Sequence, residues 1–164
     1  MKLKTLITLI GICGITGCTL LNRNSGPKTG ITAPPDIKDM AERAMREAKA
    51  CIDSVRQGHE LIEIHPVIIK KEVGEAYDKG AKFWVFTMPT GKGAGGYTEF
   101  DGKADAYIIH IGSNPKTGGE VSYDALKHEF GHYWLMSNEA RNSRHENKYS
   151  SCFIYWNSGY DKVH

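Results

Sequence analysis

His128-Glu129-Phe130-Gly131-His132 constrains this chain more than any other run in it. Two histidines four residues apart share one face of an α-helix, and from that face both imidazoles can reach a single ion. The surrounding residues agree. Val121 to Ser137 predicts a helix, with Ser122 as a plausible N-cap and Ala125 and Leu126 near its start. The donor set suits Zn2+, which takes imidazole nitrogen at about 2.0–2.1 Å. Glu129 stands one step round from His128, at the rim of the shared face. There it can reach a metal-bound water without ligating the metal, as a general base would. A surface helix carrying two histidines and an incidental glutamate is the bland alternative.

A catalytic zinc usually has three protein ligands and one open position. Glu139 follows His132 by seven residues, which on a continuing helix puts it about 10 Å further along the axis. His145 comes later, beyond Ser137-Asn138 and Asn142-Ser143, where a helix can end and the chain return. His145 is therefore the expected third ligand, with Glu146 and Glu139 as alternatives.

The pentad after an apolar strand resembles the metzincin clan of zinc peptidases. In that clan the motif continues as two residues, Gly, two residues and a third His, and a Met-containing turn follows downstream. Ser151-Cys152-Phe153-Ile154-Tyr155 resembles the Ser-x-Met-x-Tyr form of that turn. The match places Phe153 at the Met position, or Ile154 if the register is off by one. It implies that Tyr155 steadies an oxyanion at the metal. Two residues depart from the pattern: Leu135 stands at the expected Gly and Asn138 at the expected third His. The likeness covers roughly residues 83 to 156. It implies a small zincin-like domain that takes a peptide or protein substrate along an edge strand above the active helix. Ala106 to Ile111 stands where that strand would be, although an ordinary sheet edge reads the same way.

The amino-terminal residues suggest where such a domain would work. Met1 to Lys4 is basic and Leu6 to Ile15 is apolar, but the run is too short for a bilayer helix, which needs about twenty residues. Ile15-Thr16-Gly17-Cys18 resembles the bacterial lipobox. The resemblance implies a lipoprotein signal peptide over 1–17 and lipidation at Cys18, so that the membrane is a partner through the lipid. Thr19 follows Cys18, where no Asp suggests inner-membrane retention, and this leans towards the outer membrane. Residues 18–35, rich in Asn, Ser, Gly, Thr and Pro, read as a flexible tether, leaving 36–164 as the folded domain. Cys51 and Cys152 remain, to pair as a disulfide or to stand apart as small core residues. Without Lys2 and Lys4 the basic residues equal the 19 acidic ones, and no basic stripe stands out, which disfavours nucleic acid as a partner.

Within the domain, Asp36 to Gln57 predicts a helix capped by Asp36 or Asp39 and closed by Gly58. Glu60 to Ile64, Val67 to Ile69, Phe83 to Met88, Tyr97 to Phe100 and Ala106 to Ile111 read as strands, and Val73 to Lys79 as a short helix. The order of helix, strands, helix and tail predicts an α+β fold with a mixed sheet. Gly91 to Gly96 fits G-x-G-x-x-G, but Tyr97 to Phe100 follows as strand, so a hairpin loop is expected and no nucleotide site. His110 alternates with Ile109 and Ile111 and is expected to face solvent. His59, His65 and His164 are isolated and read as surface residues.

The expectation is a zinc peptidase of the cell envelope. A non-catalytic zinc-binding lipoprotein serving as an interaction module is the alternative, and Glu129, which metal binding alone does not require, speaks against it.

Overall fold

A computed structural model of the chain describes residues 29–56, 60–78, 82–139 and 147–153. It is an α+β structure with two helices and a mixed sheet. The strands are β1 (Ile31–Thr32), β2 (Val67–Val73), β3 (Ala76–Asp78), β4 (Phe83–Thr87), β5 (Gly93–Ala94), β6 (Gly96–Asp101), β7 (Ala106–Asn114) and β8 (Glu120–Val121). The helices are α1 (Lys38–Val55) and α2 (Tyr123–Glu139), and a 3-10 segment spans Asn147–Cys152. The main sheet runs β1-β2-β7-β6, parallel from β1 to β7 and antiparallel between β7 and β6, with β8 also pairing β7. β3, β4 and β5 form a separate antiparallel sheet. Ile31–Thr32, inside the stretch expected to be tether, is part of the main sheet.

β7 is the centre of this fold, not its edge. It pairs with β2 on one side and β6 on the other, and all nine of its residues are buried. The edge strand beside the second helix is β6. Side chains two apart in a strand share a face, so Tyr107, Ile109 and Ile111 point together into the core with Val67 and Ile69. The helices cover that face. α1 buries Ala41, Ala44, Met45, Ala48 and Ile52, a stripe at helical spacing whose small residues admit α2 closely. The Trp134 indole N–H of α2 reaches over to donate to the Met45 carbonyl at 3.0 Å.

The opposite face of β7 carries Ile108, His110 and Gly112, and β4 crosses over it. A Cβ at Gly112 would lie 1.9 Å from the Trp84 carbonyl oxygen. Gly112→Ala is therefore expected to cost about 3 kcal/mol or more, because backbone and not a movable side chain blocks the methyl; urea denaturation measures it. His110 is 9% exposed here, not solvent-facing. Its ring stacks on Tyr97 at 4.3 Å, and its nitrogens meet Glu72 at 2.6 Å and Glu99 at 3.2 Å.

Three local expectations change for identifiable reasons. Residues 60–64 are not a strand: Leu61 N–H donates to Asp53 Oδ1 and Ile62 N–H to Asn138 Oδ1, so helix side chains take the bonds a neighbouring strand would supply. Val73 to Lys79 is not helical as far as it is described. Val73 ends β2, Gly74 packs against Trp84, and Ala76–Asp78 pairs with β4. Ile37 stands at the N-cap of α1 with no side-chain cap, while Asp36 pairs with Lys71 at 2.5 Å. Ser122 does cap α2, accepting from the Ala125 N–H at 3.3 Å.

Candidate metal centre

The pentad lies in the middle of α2, as its spacing demands. His128 and His132 are half-buried, and their Nε2 atoms converge to 3.1 Å, so one face of the helix holds both nitrogens at one point. With Glu129 they form a group whose ligand atoms all lie within 4.8 Å of one another and which can hold a metal ion.

Glu129 differs from the two histidines in being 5% exposed. Burial pushes its carboxyl up to about 8, against an opposing hydrogen bond from Thr98. The Thr98 hydroxyl is 2.8 Å from Glu129 Oε2. Thr98 belongs to β6, so the edge strand and the helix meet at this carboxylate. Thr98 was not among the residues expected at the site. Strand alternation tells only that Thr98 shares a face with Gly96 and Phe100, not that the face opposes Glu129.

Phe153 lies against both imidazoles. Its ring is 5.0 Å from that of His128 and 5.1 Å from that of His132, and it is 1% exposed. The approach explains a glycine in mid-helix, which ordinarily costs about 1 kcal/mol relative to alanine. A Cβ at Gly131 would stand 2.6 Å from the Phe153 ring. Phe153 is delivered by the Asn147–Cys152 segment, which Cys152 ties to Cys51 in α1 through a disulfide. The pair left open by the sequence is thus a cross-link one residue from the aromatic ring under the histidines.

Asn138, at the position where the clan has its third histidine, is engaged elsewhere. Its amide accepts from the Ile62 N–H at 2.9 Å and donates to the Ile62 carbonyl at 3.1 Å. α2 also runs on without a turn at Leu135, which is 2% exposed in the core. His145, Glu146, Tyr155 and Cys18 lie outside the described residues, as does the side chain of Glu139. His65, read as an isolated surface residue, is partly buried, 3.4 Å from Asp105, and its carbonyl accepts from the Tyr133 hydroxyl at 2.9 Å.

No protein family, curated protein or solved structure matches the chain.

Proposed function

We propose that this chain is a zinc-dependent peptidase of zincin type, with His128 and His132 as ligands, His145 as the third, and Glu129 as general base. The observation that carries the reading is the convergence of the two Nε2 atoms to 3.1 Å beside a buried carboxylate. His128 and His132 would hold the ion through these two nitrogens, a donor pair that zinc accepts. Bound zinc would supply a Lewis acid that polarises a carbonyl and acidifies water.

The protein's own groups account for the rest. Phe153 closes the space beneath the imidazoles and holds their rings in place. Glu129 takes a proton from the attacking water and passes it to the departing amine. β6, which has no strand partner on its outer side among the described residues, offers backbone groups to an extended peptide. Tyr155 would steady the oxyanion. Lipidation at Cys18 would hold the enzyme at a bacterial envelope membrane; among the described residues no helix is long and apolar enough to cross one.

The reading is tested by zinc content and peptide-library cleavage. About one zinc per chain is expected, as in other three-ligand catalytic sites, lost in His128→Ala and weakened in His145→Ala, with cleavage abolished by both. A chain purified without chelator that holds no metal would sink the proposal.

A further inference from the structure

Both oxygens of the Glu129 carboxylate meet β6. The Thr98 hydroxyl has one proton and two acceptors in range, Oε2 at 2.8 Å and the Glu129 main-chain oxygen at 3.1 Å. The shorter contact goes to the side chain. Gly96, two residues earlier on the same strand face, stands against the rest of the carboxylate. A Cβ there would be 2.7 Å from Glu129 Cγ, 2.9 Å from Oε1 and 3.0 Å from Cδ. Gly96 is not among the glycines with positive φ, so room for Glu129, not backbone conformation, explains it. A residue of any other type would displace the carboxylate or cover Oε1.

We infer that Gly96 and Thr98 are positioning residues that together seat Glu129: Thr98 fixes Oε2, and the bare backbone at Gly96 leaves Oε1 as the oxygen that handles the proton. The arrangement answers a physical need. A glutamate side chain has three rotatable bonds, and a base must lie within hydrogen-bond reach of the proton it takes. The helix fixes only the Cα, so the edge strand supplies the remaining constraint. A strand that both seats the base and stands at the edge of the sheet among the described residues would also place peptide and base in register with each other. This kinetic consequence rests on the peptidase reading; the seat itself does not.

The test therefore has two arms, both on the purified full-length chain. In the first, Gly96→Ala is made alone and in a Glu129→Ala background, and thermal unfolding is followed. The seat requires a Tm loss of roughly 5 °C or more in the otherwise unchanged protein and under about 2 °C once Glu129 is gone. Equal losses in the two backgrounds would overturn it. In the second arm, Thr98→Val is expected to lower kcat by at least about tenfold at unchanged KM, and Thr98→Ser to restore most of it. Zinc affinity should stay near that of the unchanged protein in both variants. A zinc affinity about 10- to 100-fold weaker in Thr98→Val would make Thr98 a support of the metal ligands and overturn its role at Glu129. If no variant and no unchanged protein cleaves any peptide, the peptidase reading fails, and the thermal arm still decides the seat.

Discussion

Glu129→Gln is expected to lower peptide hydrolysis by about 10²- to 10⁴-fold while zinc stays bound, because glutamine keeps the shape and the Thr98 contact but cannot take a proton. Kinetics beside metal analysis separate that outcome from simple loss of the ion. The same variant has a second, opposite effect on the metal-free protein. Burial raises the Glu129 carboxyl to about 8 from an ordinary value of 4.5. The folded chain therefore binds this proton more tightly than the unfolded chain does. Stability from this group is fully present below about pH 4.5, declines as pH rises from there, and is gone above about pH 8. The decline is on the order of a few kcal/mol. Glutamine has no proton to lose, so Glu129→Gln should be flatter with pH and more stable than the unchanged chain at pH 8 and above. Urea denaturation of the metal-free forms across that range measures the difference. Parallel curves for the two proteins would place the carboxylate in water, contrary to its burial.

Replacing both Cys51 and Cys152 with alanine is expected to cost about 4–5 kcal/mol, since the bridge spans 101 residues and a loop of that length loses the most chain entropy when closed. The same change should weaken metal binding, because Phe153 stands next in sequence to Cys152 and packs on both imidazoles. Denaturant unfolding reads the first effect. Zinc competition under conditions where the variant is still folded reads the second. Unchanged zinc affinity in the folded variant would show that packing alone keeps Phe153 in place.

The elements that hold the centre were readable because they obey one-dimensional rules. The α2 pentad follows the 3.6-residue period, and the β-branched and aromatic runs of β4 and β7 mark strands. What could not be read was partnership. β7 looked like an edge because a continuous apolar run does not say how many neighbours a strand has. Full burial on both faces, with β2 and β6 alongside, is a property of the assembled sheet. His110 went to the back of that sheet as alternation requires, but Tyr97, Glu72 and Glu99 enclose it there, and no local pattern announces those cross-strand partners. Residues 60–64 carry strand-like letters, yet Asp53 and Asn138 bind their backbone from the helices. The half of the centre made by His128, Glu129 and His132 was legible; the half made by Thr98, Gly96 and the Cys51–Cys152 cross-link depends on contacts between distant segments.

That cross-link also changes what a cut does to the molecule. Cys51 and Cys152 bracket every strand from β2 to β8 and the whole of α2. A single hydrolysed peptide bond anywhere between them opens a ring without releasing a fragment. The nicked chain would keep both ends of the break attached, gain one water in mass, and run as two pieces only after reduction. A clip in a surface turn would thus leave the histidines and the ring beneath them joined to the same covalent body.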